Sequence, residues 1–481
     1  GSGRVNAGGN LTIEAGDQVH LRHDMRGDAA NPTLYATGNL SISAANSIVG
    51  GQGSLLGAGN TLMLATTTPT GRIAVDRLDG TDISITAGGS VSVEHSEAVN
   101  DFTANVGSFR TGLNSIITGG DIDITSVGAV DLGNSTAGGY VRVDGQSIVF
   151  NNINAGFFVD LTANGTATGA EGIRGAAINS GSSVFLSGNS IDIDLVDSDG
   201  FLSATASGGN VAIDQATARF GIGVQAQGDI TGSYAGGEDI FLSAGGDIIA
   251  SAAAIGNGSS SSSGFPTTAS VYATAGGDII MTNSQATGMF GVNAGGSVDI
   301  DGAAVGEDML ILSQGTATLA NVSVGDDLDV RAVGNITATN VRTTGSGPDT
   351  HILSYLPASG FTISQGEGNS AINGSDLTLT SSAGSIDATG LSAGDDILLS
   401  ANGTIGVNGA TTLGFGTTGG DSSIRTTGGD TTLANLDAFS DVVVNSTGTA
   451  NIAGTVDAGR DVTIDANDVT IADIVVSSQV F

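Results

Sequence analysis

Two acidic pairs are the first residues in this chain that could do chemistry. Asp326-Asp327 and Asp395-Asp396 each set two carboxylates side by side, and paired carboxylates drive glycoside hydrolysis as acid and base or nucleophile. That reaction also needs a sugar-binding cleft, usually floored with aromatics. A chain with no Trp and 5 Tyr has few residues to build one, so catalysis by these acids is not expected. Hard cations are the better rival, because carboxylates stacked at corners can offer oxygen ligands. The glycine-rich calcium nonapeptide of β-roll proteins is missing, however. The expectation is no cofactor, and at most weak millimolar calcium binding.

Two further clusters invite a functional reading. His20, Arg22 and His23 gather in QVHLRHD. Alternation puts Val19 and Leu21 inside and His20 and Arg22 outside, which describes a solvated strand face rather than a metal site. Arg26, Gly27 and Asp28, in DMRGDAAN, form the tripeptide that some adhesins present to integrins, and they are the one receptor-binding candidate. Gly-Asp is also the ordinary turn of this chain, so a plain corner accounts for the same residues.

The elements that would position these residues follow from a repeating beat. SAGDDILLSANGTIGV at 392–407 twice sets a Gly-containing polar step before two alternating aliphatics. The beat recurs at Gly120-Asp121-Ile122-Asp123-Ile124, Gly296-Ser297-Val298-Asp299-Ile300 and Arg460-Asp461-Val462-Thr463-Ile464. Aliphatics at period 2 mark a short strand with one buried face, and the Gly and Asp supply the turn. No window shows helical periodicity. Asp278 to Ser297 is 19 positions and Asp441 to Asp461 is 20, with a second beat 8 or 9 residues on inside each period. One period cannot bury its own aliphatics, so it must stack on the next as a rung of an all-β, parallel β-solenoid of about 20 residues per rung. The chain's 481 residues then make roughly 24 rungs, a rod on the order of 115 Å long. Ile122, Ile124, Val298, Ile300, Leu377, Leu379, Val462 and Ile464 should point inward, and Asp123, Asp299, Thr378 and Thr463 outward.

Composition agrees with an acidic exposed surface. The net charge is −35, all 13 basic residues are Arg, and there are 78 Gly and no Cys. Stability must come from packing and backbone hydrogen bonds without disulfides. So acidic a surface excludes nucleic acid as a partner. The Ser-rich run near 256–267 reads as a loop inserted at one corner, and Thr66–Thr70 and Gly345-Ser346-Gly347-Pro348 look similar. The whole of 1–481 therefore reads as a single continuous β-helix segment, an interior part of a longer chain.

The beats Gly8–Ala15, Gly394–Ala401 and Gly459–Ile464 resemble the repeat region of filamentous haemagglutinin-like proteins, the large bacterial exoproteins of two-partner secretion. The likeness runs over nearly the whole chain. It implies a right-handed parallel β-helix, an outer-membrane pore partner for export, and a secreted or cell-surface location. It also implies roles in adhesion, biofilm formation, cell–cell contact or carriage of a terminal toxin. The secretion domain of that family, with its Asn-Pro-Asn motifs, is not matched by Asn31-Pro32-Thr33, and autotransporter passengers use similar beats. The leading expectation is a non-enzymatic rod displaying binding regions to a host or neighbouring-cell surface or extracellular matrix, with lateral or end-to-end self-association. The alternative is a carbohydrate-active β-helix, a polysaccharide lyase or tailspike-like depolymerase; the Arg residues, scattered from Arg4 to Arg460, favour the rod.

Overall fold

A computed structural model describes residues 5–21, 34–51, 53–112, 116–165, 172–256, 268–345, 351–356, 360–365, 375–412 and 421–476. Among the described residues every regular element is a β-strand. The chain divides into two compact units, Gly1–Gly228 and Asp229–Phe481, each built from the same coil. One coil holds a five-residue strand and an eight-residue strand, exemplified by Met309–Ser313 and Ala317–Val324 in the second unit. Each strand pairs in parallel with its counterpart one coil on: Met309 lies over Leu328, and Val298 lies 19 residues before Ala317 in the same ladder. The fold is a β-solenoid, as the spacing of the beats requires.

Burial along the strands follows the expected alternation. The five-residue strand Ile122–Ser126 reads in, out, in, out, in. Ile122, Ile124, Val298, Ile300, Leu377 and Leu379 are each at most 1% exposed, while Asp123, Asp299 and Thr378 face outward. Val462 and Ile464 lie in register over Val442 and Val444, yet are only half-buried. Their strand, Val462–Val476, is covered by described residues on one side only.

The eight-residue strand contains a corner that the period-2 reading does not show. Its burial runs in, out, in, out, out, in, out, in, so two successive side chains point outward where the chain bends. In the second unit the fifth residue of this strand adopts a left-handed backbone at Asn283, Gly302, Asn321, Asn340, Gly390, Gly409 and Asn435. These seven positions belong to successive rungs. Only Gly and, among L residues, mainly Asn tolerate that backbone, which is why nothing else occupies the column. Asn340 Nδ2 also donates to Asn321 Oδ1 at 3.3 Å, and Asn321 Nδ2 to Asp301 Oδ1 at 2.9 Å. In the first unit the ladder skips the fourth residue instead, at Asn151, Ala176 and Asp194. None of those three has a positive φ.

Insertions leave the ladder intact. Ile240 pairs with Val271, 31 residues on rather than 19, and that pairing is continuous, while Ile248–Ala254 slips by one residue between Ala250 and Ala253 against Ile279–Ala286; the intervening 257–267 falls outside the described residues, as do Arg22, His23, Arg26, Gly27 and Asp28. Thr66–Thr70 makes a short turn that Gly71 N–H closes onto the Thr68 carbonyl at 3.0 Å. The segment after Gly345 is larger than its Gly-Ser-Gly-Pro start suggests. It carries an antiparallel hairpin, His351–Leu356 with Gly360–Gln365, before Leu377 resumes the ladder over Leu328. Alternating residues in HILSYL and GFTISQ look the same whether their strand stacks in a coil or pairs with a neighbour, so the sequence does not separate the two.

Two substitutions test this construction. Ile300→Asp buries an unpaired charge in a rung and should cost several kcal/mol. Coupling between rungs is nearest-neighbour, so limited proteolysis should give new cleavage near residue 300 while peptides of the first unit stay protected. Asn340→Gly should leave thermal stability nearly unchanged, whereas Asn340→Val should cost about 1–2 kcal/mol more because a β-branched residue is forced into a left-handed backbone.

Candidate functional site

The residue just before each five-residue strand sits at a turn, and its backbone N–H faces the rung before it. A buried or half-buried N–H needs an acceptor, and a short polar side chain in the same column supplies one. In the second unit Asp376 N–H donates to the Asp327 carboxylate at 2.9 Å and Asp396 N–H to Asp376 at 3.1 Å. Asp421 N–H then donates to Asp396 at 2.9 Å, Asp441 N–H to Asp421 at 3.0 Å, and Asp461 N–H to Asp441 at 3.1 Å. A parallel column before the longer strand of each coil runs Asp247 to Asp229, Asp278 to Asp247 and Ser297 to Asp278, at 2.7–2.9 Å. In the first unit Asp121 N–H donates to Asp101, and Tyr140 N–H to Asp121, both at 2.9 Å.

The acidic pairs of the sequence are therefore two parts of one corner. Asp327 and Asp396 stand in the acceptor column with Asp376 between them. Asp326 and Asp395 precede them; the Asp395 N–H donates to the Ser375 carbonyl at 3.0 Å, and its side chain is buried. Column neighbours of like charge shift one another's titration. Burial, assisted by the charges of Asp327, Asp396 and Asp395 and opposed by the Asp396 N–H, pushes Asp376 up to about 7. Asp441 moves the other way because Arg460 hydrogen-bonds its carboxylate. Among the described residues no group of three or more His, Asp or Glu converges as a metal-ligand set. His20 faces solvent beside Gln18, its Nε2 2.8 Å from Oε1, and Val19 and Leu21 are buried beneath it.

A second feature escaped the sequence reading: an aromatic corner in the first unit. The same pre-strand column runs Tyr140, Phe158, Ser183, Phe201, as the register Val141–Val159–Val184–Leu202 sets it. Tyr140 and Phe158 stack at 5.0 Å between centroids and 7° between planes, with the Arg142 guanidinium 5.5 and 5.9 Å from the two rings. Phe201 packs on Phe220 at 5.2 Å, and Arg219 lies 5.7 Å from the Phe220 ring. Phe157 and Phe185 flank the column at 64% and 46% exposed. On the other side of the corner, Asn154, Asn179, Asp197 and Asp199 line a groove of about 380 Å³. Single exposed apolar residues are ordinary; six aromatics gathered on one corner are a patch of the kind that marks a recognition surface. The column spacings, 18, 25 and 18 residues, hide the period because the insertion that contains residues 166–171 interrupts it.

No family model, curated protein or solved structure matches this chain.

The titration of Asp376 gives a signed expectation. Its proton is held more tightly in the folded state than at the ordinary value of 3.8, so the folded state binds more protons between about pH 4 and 7 and stability falls as pH rises through that window. Thermal midpoints of the wild type should decline from pH 4 to 7 more steeply than those of Asp376→Asn, as scanning calorimetry can read. Parallel curves would show that Asp376 titrates as an exposed carboxylate.

Proposed function

We propose that this protein is a non-enzymatic, secreted or cell-surface β-solenoid scaffold that works in adhesion and cell–cell contact, of the filamentous haemagglutinin-like kind. The observation that carries this reading is the corner column. Of the paired carboxylates, Asp327 and Asp396 each accept a backbone N–H of the next rung, a use that repeats along the second unit from Asp327 to Asp441. Hydrogen-bonded columns of this sort stiffen a coil that has no disulfides. The acidic surface keeps copies apart in solution, and association of copies through a bridging cation is the self-association this surface allows. Partners on this reading are a host or neighbouring-cell surface or matrix, with an outer-membrane pore serving export.

One observation favours the enzymatic alternative. A carboxyl titrating near 7 between two ionised neighbours has the property of a general acid, and Asp376 is such a group. The two readings separate in one assay. Beads coated with the protein should be retained on epithelial monolayers or bacterial lawns above albumin-coated beads, while a panel of acidic and neutral polysaccharides shows no new reducing ends or unsaturated products. Turnover by the wild type that vanishes in Asp376→Asn would replace the scaffold with a depolymerase.

A further inference from the structure

The aromatic column of the first unit has one ring missing. Phe158 gives one face to Tyr140, and Phe201 packs against Phe220. Between Phe158 and Phe201 the column holds Ser183. Rungs are about 4.8 Å apart, so the two rings lie two rungs, or about 9.5 Å, apart. Subtracting the half-thickness of each ring leaves room for one further ring and no more. Phe185, on the same rung and two residues along, points to the same side and is 46% exposed; it makes a side wall. Ser182 and Ser183 form the floor. Ser183 Oγ accepts the Phe201 N–H at 3.1 Å, which leaves its own proton to donate.

We propose that this slot binds one neutral pyranose of a glycan, held between the Phe158 and Phe201 rings. Two features choose a sugar over a flat aromatic ring. A pyranose presents C–H groups on both faces to the two rings and hydroxyls around its rim, and the rim of this slot is polar: the Ser183 hydroxyl, Asp160 beside Phe185 in the next rung, and across the corner Asn154 and Asn179, joined by a 2.9 Å hydrogen bond. An aromatic guest would make no hydrogen bond to these groups, whereas the rim hydroxyls of a pyranose can add to the bonds they already make. The sugar is neutral because the nearest cation, Arg142, already faces Asp160 at 3.5 Å, and the chain as a whole carries −35. Successive rungs rise by about 4.8 Å, close to the length of one sugar in an extended chain, so neighbouring residues of a linear glycan can run along the corner past Phe157. The slot's role as a sugar site rests on the adhesive reading above and names the ligand class for it.

Saturation-transfer NMR on the whole chain tests this with methyl β-glucopyranoside, methyl β-galactopyranoside, methyl α-mannopyranoside and cellotetraose, with phenol as the aromatic rival. At least one sugar should receive saturation at its ring C–H protons, with a Kd in the millimolar range for a single ring (about −4 kcal/mol). Ser183→Phe completes the column and should weaken that binding by at least about tenfold while the thermal midpoint holds. Ser183→Ala removes the hydroxyl but leaves the slot open, and should bind within about threefold of the wild type. The proposal is overturned if no sugar binds, if Ser183→Phe binds as the wild type does, or if Ser183→Ala loses binding as fully as Ser183→Phe. Saturation of phenol alone also overturns it. Coated beads that still adhere in that case leave the adhesive reading standing and remove only the sugar slot.

Discussion

Parallel, in-register pairing of each rung with the next is the interaction on which everything else in this chain depends. It satisfies the backbone groups of strands that lie between two rungs, and it also forces each residue to lie over the residue one period away. A side chain's main neighbours are then its own column. Aliphatics gain from this, since Ile over Val over Ile fills a narrow core without aromatics: Ile122, Val141 and Val159 form such a column and are fully buried. Acids should lose, because like charges directly opposite one another in a sheet are destabilising. The column persists because each carboxylate from Asp327 to Asp441 accepts the backbone N–H of the residue above it, and a charge-assisted bond of this type is stronger than a neutral one. Where packing density removes water the balance shifts, and Asp376 keeps its proton to about 7.

The same rule accounts for the columns of single conformations. A left-handed residue in one rung moves the chain so that the rung above must bend at the same place, and Asn or Gly follows for seven rungs of the second unit. The first unit makes its bend by skipping the fourth residue, and there Ala176 and Asp194 are tolerated because their backbone stays in the ordinary region. One coil is thus built with two different corners, and register transmits each over a run of rungs, from Asn283 to Asn435 in the second unit and from Asn151 to Asp194 in the first.

Much of this was legible from the residues. Strict alternation after a turn placed Ile300 and Leu379 inside and Asp299 outside, and the 19–20-residue spacing of Asp278, Ser297, Asp441 and Asp461 set the coil. What the acids do was not legible, because a carboxylate that accepts the N–H of another rung leaves the same spacing as one that works in a cleft. The hairpin at 351–365 was hidden because alternation reports a buried face and not the pairing partner. The aromatic corner was hidden by register: Phe158 and Phe201 are 43 residues apart, and only the ladder, with its insertion counted, puts Ser183 between them.

Columns also indicate where function is to be sought in a repeat of this kind. A residue that matches its column is explained by the rungs on either side, whatever its chemistry. Asp327 and Asp396 fall into this class, and so do the Asn residues of the left-handed corner. Residues that break a column have no such explanation. A serine in a stack of rings neither extends the stack nor fills the core, and the Phe201 N–H it accepts could be served equally by the Asp or Asn that other rungs use. What a serine does there that an aromatic or an acid would not is leave a gap of one ring's thickness between two apolar faces without adding charge. In a solenoid whose stability is a sum of like-on-like contacts, a gap of that size weakens the local stack, and a position that gives up local packing is where recognition rather than folding has set the residue.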